Sequence, residues 1–201
     1  MSRRLVLATR NAHKVTELRA ILADTGLDVD LVGADAFPHI PDVKETGVTF
    51  AENALLKARA LAEGTGLPAV ADDSGLCVDV LGGAPGIFSA RWAGRHGDDT
   101  ANLDLLLAQL SDIDTPHRAA HFACAAALAL PDGTTRVAEG RLPGTLRFTP
   151  TGTGGFGYDP VLQPDGETRT CAELTPTEKN AISHRGRAFR ALAPMVAELL
   201  R

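Results

Sequence analysis

Leu5-Val6-Leu7-Ala8-Thr9 is a short apolar run of the length expected for a buried strand. Arg10-Asn11-Ala12 then turns the chain into a helix over residues 12–25. Its apolar stripe is Val15, Leu18, Ile21 and Leu22, and Gly26 stops it. A second strand is predicted near residues 28–32, and Pro38 and Pro41 make residues 34–47 a loop. Thr49-Phe50-Ala51-Glu52 has the spacing of a capping box, so a helix starts there and runs to about Glu63, ahead of Gly64 and Gly66. Residues 69–72 predict a short strand, and the glycines from Ser74 to Gly97 predict irregular chain. A helix opens at Asp98 or Asp99 with Leu103, Leu106, Leu107 and Leu110 on one face. Residues 121–130 alternate Phe122, Cys124, Ala126, Leu128 and Leu130 with alanines. They are taken as a strand with a small-residue face for close helix packing, turned by Asp132-Gly133 into a hairpin. Thr175-Pro176-Thr177-Glu178 joins a capping box to proline at the first helical position. The remainder is helical, with a break near Ser183 and strain at Pro194. This is an α/β pattern, a sheet between helices, in one domain over residues 1–201.

Some residues do not fit a folding pattern alone. Lys57 falls inside the apolar stripe of Phe50, Ala54, Ala58 and Leu61, with Asn53 one turn earlier. A lysine there either snorkels from the core edge or is a cation held over a cleft, and methionine would fit the same place. Lys14 sits in the apolar stripe of its helix and in the first turn, where a cation opposes the helix dipole and a bound anion would relieve it. Lys179 stands in the first turn of a third helix. Asp72-Asp73-Ser74-Gly75 is expected to end a short strand, where open α/β sheets place ligands. Adjacent acids repel unless a cation is shared, and together with Glu45 their hard oxygens suit Mg2+ beside a phosphate. A polar turn is the plainer alternative. Gly152-Thr153-Gly154-Gly155-Phe156-Gly157 matches a dinucleotide fingerprint in letters only. Pro150 precedes it and Pro160 and Pro164 follow, where that motif needs a strand and a helix. Its glycines suggest a backbone close to something planar, with Phe156 able to stack. His117 and His121 lack the intervening Glu of a zinc-binding helix.

Composition narrows the field further. The hydrophobic share is 44% and the charged share 22%, which excludes a disordered chain. The formal net charge of −5 argues against a protein that coats nucleic acid, though not against one small anion. No apolar run is long enough to span a bilayer, and the start lacks a signal-peptide pattern. Three widely spaced cysteines, Cys77, Cys124 and Cys171, predict ordinary thiols in a reducing, cytoplasmic setting.

Read in order, several segments resemble the inosine triphosphate pyrophosphatase family. They are Ala8-Thr9-Arg10-Asn11 with Lys14, Glu45-Thr46-Gly47-Val48-Thr49-Phe50 with Glu52-Asn53-Ala54 and Lys57, Ala71-Asp72-Asp73-Ser74-Gly75, and Gly82-Gly83-Ala84-Pro85-Gly86. Gly152 to Pro160, Glu178-Lys179-Asn180 and Ser183-His184-Arg185-Gly186 complete the series. The resemblance implies two lobes around a long mixed central sheet with the active site in the cleft, and a homodimer. It also implies Mg2+-dependent hydrolysis of ITP, dITP or XTP to monophosphate and pyrophosphate, cleansing the nucleotide pool. Carried over, Thr9, Arg10, Asn11, Ala12, His13 and Lys14 would hold phosphate. Glu45 and Asp73 would hold Mg2+, with Asp73 as general base. Ser74, Lys57 and Lys179 would meet phosphates. Phe156, Gly157, Tyr158, Asp159, His184 and Arg185 would surround the base, with Arg185 donating to the oxygen at purine position 6. Lys44 stands where many relatives carry a second acid. A phosphatase releasing inorganic phosphate and a non-catalytic nucleotide sensor are the alternatives. No nucleic-acid or membrane partner is expected.

Overall fold

The computed structural model describes residues 3–9, 12–26 and 29–200. Six strands form one mixed sheet, β1 (Arg3–Leu7), β2 (Val29–Gly33), β3 (Ala69–Val78), β4 (Ala119–Ala129), β5 (Thr135–Leu146) and β6 (Leu162–Pro164), in the order β2-β1-β3-β4-β5-β6. β1 pairs in parallel with β2 and β3, whereas β5 and β6 are antiparallel. The helices are α1 (Ala12–Asp24), α2 (Phe50–Thr65), α3 (Asp99–Gln109), α4 (Pro176–Ile182) and α5 (His184–Leu199). Among the described residues no helix is long and apolar enough to cross a membrane.

Two compact units divide the chain. The first comprises residues 1–73, 124–140 and 184–201, the second residues 74–123 and 141–183. In the first, strand alternation sends side chains to two cores. Leu5, Leu7, Val70, Cys124, Ala126 and Leu128 pack with Leu18 and Ile21 of α1 and Phe189, Leu192 and Val196 of α5. Val6, Ala69, Ala71, Ala125, Ala127 and Ala129 pack on the other side with Ala54, Ala58 and Ala62 of α2. Facing alanines let α2 lie close to the sheet, as the small-residue face of β4 predicted. Gly140 serves the α5 side: a Cβ there would meet the carbonyl oxygen of His184 and, at 2.6 Å, the backbone nitrogen of Ala188.

The second unit has its own core, in which Leu76 and Val78 of β3 and Phe122 of β4 join Leu103, Leu106 and Leu110 of α3. Arg118 is buried there among backbone carbonyls. Its guanidinium donates to the carbonyls of Leu110, Ile113, Leu146 and Arg147, which satisfies the fork.

One expectation fails in an informative way. Asp72-Asp73-Ser74-Gly75 does not end a strand, because β3 runs from Ala69 through to Val78. A strand buried on both faces ordinarily reads as a run of Val, Ile and Leu, so two acids mask its continuation.

Candidate active site

In the first unit the site is built from the loop before α2. Thr49 caps the helix, accepting from the Glu52 nitrogen at 3.1 Å. The reciprocal bond of the expected capping box is displaced by one residue: the Glu52 carboxylate accepts from the nitrogen of Val48 at 2.6 Å. The Gly47 nitrogen donates to Asn53 Oδ1 at 2.8 Å, and a Cβ on Gly47 would stand 2.6 Å from the Glu52 Cβ. The loop therefore lies on the first turns of α2, and this brings Glu45 to Lys57. The Lys57 Nζ donates to Glu45 Oε1 at 2.9 Å and to Asp73 Oδ1 at 3.3 Å. Asn53, fully buried, uses its other end to donate from Nδ2 to Asp73 Oδ2 at 3.2 Å. An amide carries both donor and acceptor, so this one residue fixes the loop and the Asp73 carboxylate together. Burial pulls the Lys57 pKa down, but the carboxylates of Asp73, Asp72 and Glu45 outweigh it and hold the ammonium above its ordinary value.

The donor set fits Mg2+. Two carboxylate oxygens, from Glu45 and Asp73, already converge on a single cationic atom. Mg2+ is commonly held by one or two carboxylates plus substrate phosphate. Among the described residues no three His, Cys, Asp or Glu gather into a larger metal cluster.

Asp72 does not join this group. Neighbouring side chains on a strand leave from opposite faces. Asp73 faces α2, and Asp72 faces α1 and α5, where Arg185 Nε donates to its Oδ2 at 3.1 Å. Arg185 Nη1 also meets Glu17 Oε2 at 2.6 Å. The two acids thus hydrogen-bond different cations, Asp73 meeting Lys57 and Asp72 meeting Arg185, although the Asp72 charge also acts on Lys57. Arg185, expected at the purine edge, is 1% exposed and held by these two carboxylates. His184 is buried at the start of α5.

The second unit gathers another set. Asp159 Oδ2 accepts from the Phe156 nitrogen at 2.9 Å and from Lys179 Nζ at 2.6 Å. The Lys179 ammonium also lies 5.2 Å from the centre of the half-exposed Phe156 ring. Lys179 is therefore held by a protein carboxylate, and α4 is a single seven-residue helix in which it stands nearer the carboxyl end than expected. The Gly157 nitrogen donates to Asp99 Oδ2 at 2.9 Å, and the Tyr158 hydroxyl donates to the Ser89 carbonyl at 2.8 Å. Several glycines of the loop are explained by the protein itself. Cβ atoms on Gly152 and Gly154 would press on the backbone of Ala172, and one on Gly155 would collide with the Asp159 carboxylate. Gly157 differs, because nothing lies near its open side. No strand leads directly into this loop and no helix opens at its end, as the prolines indicated.

Of the remaining expected residues, Thr9 follows β1, its nitrogen donating to the Leu7 carbonyl at 2.9 Å, and Ser74 follows Asp73 within β3. Arg10 and Asn11 lie outside the described residues, as do the side chains of Ala12, His13 and Lys14. Glu17 and Asp99 were not anticipated. A signal existed for Glu17, one turn before Ile21 at the edge of the α1 stripe. A stronger one existed for Arg185, which precedes Ala188, Phe189, Leu192 and Val196 at apolar helical spacing.

A mixed α/β sheet carrying a half-buried cluster of acids, amide and ammonium defines the class, an α/β protein with a polar site of enzyme type. The chain belongs to the Ham1 family, whose model matches residues 5–195, and this bears out the resemblance carried by its motifs. It is 84% identical over 197 residues to a Streptomyces coelicolor protein named dITP/XTP pyrophosphatase, covering 98% of each chain. It is 59% identical over 202 residues to a Frankia alni protein of the same name, again covering 98% of each. Among solved structures, a HAM1 protein from Coxiella burnetii matches with a TM-score of 0.88 at 41% identity, covering 98% of this chain and 99% of that one.

Proposed function

We propose that this protein is a nucleoside triphosphate pyrophosphatase. It hydrolyses purine nucleotides such as dITP, XTP and ITP to monophosphate and pyrophosphate, and thereby removes noncanonical nucleotides from the pool. The names of its relatives support the substrate class. The observation that carries the chemistry is the Lys57 ammonium donating to both the Glu45 and Asp73 carboxylates while Asn53 donates to Asp73. A sensor needs no such arrangement.

Glu45 and Asp73 would hold Mg2+, which when bound would offset negative charge on the phosphates. Asp73 takes the proton from the attacking water while Asn53 keeps its carboxylate oriented. The oxygen of that water bonds to the α-phosphorus, and the bond to the bridging oxygen breaks so that pyrophosphate leaves with the electron pair. Lys57, Ser74 and the Thr9–Lys14 segment meet the phosphates and place them, and positioning with charge stabilisation supplies most of what phosphoryl transfer requires. Phe156 stacks on the base, with Gly157, Tyr158, Asp159 and His184 around it. Lys179, joined to Asp159 and lying against Phe156, belongs with this base-side group and not with the phosphates. A base with an oxygen at position 6 offers an acceptor where adenine offers a donor. A mismatched buried group costs roughly 1–3 kcal/mol, so dITP should exceed dATP in kcat/KM by at least about tenfold.

Product analysis with dITP and Mg2+ tests the proposal. Pyrophosphate is expected; inorganic phosphate would indicate a phosphatase, and no product a sensor. Asp73→Asn should lose about 10²–10⁴-fold in kcat with an unchanged melting temperature. A well-folded variant keeping a tenth of the native rate would remove Asp73 from the role of base.

A further inference from the structure

Phe156 stands between two glycines in the left-handed region, Gly155 at φ +71 and Gly157 at φ +61. Glycines give the chain its greatest freedom, so an aromatic side chain between them has no fixed direction unless its own peptides are held. Both flanking peptides are held here. The peptide before the Phe156 Cα donates its N–H to Asp159 Oδ2 at 2.9 Å. The peptide after it donates the Gly157 N–H to Asp99 Oδ2, also at 2.9 Å. Those two planes define φ and ψ of Phe156, so two carboxylates set the direction in which its ring leaves the chain. Asp159 belongs to the same turn and is itself fixed by Lys179 at 2.6 Å. Asp99 lies 58 residues away from Gly157, in the first turn of α3.

Folding of α3 does not need Asp99 to face this loop. The residue is exposed, and the helix already has its cap in Asp98, whose side chain accepts from the Ala101 nitrogen at 3.1 Å. An acid in the first turn suits the helix dipole wherever its side chain points. The start of α3 is tied down by Asn102, which is 1% exposed and accepts from the Ala93 nitrogen at 2.7 Å. Ala93 closely follows the segment Gly86–Arg91, whose Ser89 carbonyl accepts from the Tyr158 hydroxyl at 2.8 Å. Two consecutive loop residues, Gly157 and Tyr158, are therefore joined to one frame, all of it within the second unit. We propose that Asp99 is a positioning residue for the base platform: by accepting from the Gly157 N–H it fixes the Phe156 ring in the direction in which a purine stacks. An ionised acceptor makes this a stronger tie than a neutral one. Asp99 acts through the loop and takes no part in the chemistry. This inference rests on Phe156 stacking on the base.

The test compares Asp99→Ala, Asp99→Asn and Phe156→Ala with the native enzyme. It reads melting temperature, kcat and KM on dITP and dATP with Mg2+, and hydrogen exchange at the Gly157 amide of the nucleotide-free protein by nuclear magnetic resonance. Asparagine keeps an acceptor at the same place, whereas alanine has none. A stacking platform holds substrate and transition state alike, so its loss shows in KM and not in kcat. Asp99→Ala should raise KM at least about fivefold on both nucleotides, with kcat within about twofold. The dITP-to-dATP preference should stay unchanged, because stacking tolerates any base. The Gly157 amide of this variant should exchange at least about tenfold faster. Asp99→Asn should keep KM within about twofold of native. If Asp99→Ala does not fold, Asp99→Ser decides by the same readouts, since its hydroxyl suits a helix start but is one bond too short to keep the Oδ2 contact. A KM change below that fivefold mark in the folded variant would overturn the proposal, as would native exchange at Gly157. Equal impairment of Asp99→Asn and Asp99→Ala would make the charge the cause and overturn it too. Phe156→Ala should also raise KM at least about fivefold. A native KM in Phe156→Ala is a separate outcome that removes the stacking on which the inference rests.

Discussion

Lys57 shows how a single residue changes meaning between sequence and structure. On the helical face it is a cation in an apolar stripe, and a methionine looks harmless or even stabilising there. In the folded protein its ammonium lies between Glu45 and Asp73. Removing it takes away the ammonium that bridges Glu45 and the buried Asp73, a loss on the order of 1–3 kcal/mol. Lys57→Met should therefore melt several degrees lower than the native protein in chelator. Mg2+ should restore more of the difference in the variant than it adds to the native protein, and a variant as stable as native in chelator would contradict this. The cysteines give a pH-dependent prediction. Burial first, and then the Asp159 charge, push the Cys171 thiol up to about 12, against a smaller opposing pull from Lys179. A raised pKa means almost no thiolate near pH 8, and thiolate is the reactive form. Cys171 should resist iodoacetamide at pH 8 in the native state and react fully in denaturant. Rapid native labelling, read by peptide mass spectrometry, would count against its burial.

At the scale of elements, close approach decides more than propensity. The start of α5 rests on β5 because Gly140 has no Cβ to strike the backbone at His184 and Ala188. Gly140→Ala should force that helix start away and cost about 1–3 kcal/mol. For a chain of this length that corresponds to a few degrees up to about ten in melting temperature. Since His184 and Arg185 open the helix, the same variant should lose activity, and Gly133→Ala offers a contrast. Gly133 has φ +89 in the hairpin turn but nothing within reach of a Cβ, so its cost is backbone strain far from this helix start. Equal activity losses in the two variants would show that the approach at Gly140 is not what matters.

At the scale of the molecule, charge and composition bear on partners. With 25 acidic and 20 basic side chains the protein has no excess of cations to displace counterions from a polynucleotide. The proposed function asks only for a few local cations, enough for one nucleotide. A short labelled single strand of DNA should not be retained by the protein on a filter at about 0.15 M salt, whereas dITP should compete with other nucleotide substrates. Retention that falls steeply with added salt would reveal a basic surface that the net charge conceals.

The sequence by itself determined the order and type of most elements, because those rest on local chemistry. The caps at Thr49, Asp98 and Thr175, the stop at Gly26 and the break at Ser183 are all present. It also determined the family, because motifs from the first strand to the last helix occur in order. What it did not determine follows from side-chain direction and long-range pairing. β3 continues through Asp72 and Asp73 because their charges are met by residues distant in sequence, Arg185 for one and Lys57 for the other. Local polarity reports a turn there, and only the packed sheet supplies the cations that let two acids lie within a strand. The same holds for Lys179, whose charge looked available for an anion until the fold brought Asp159 to it. Spacing along the chain can name the charged residues, but which charge faces which is set when strand alternation and helix packing give each side chain its direction.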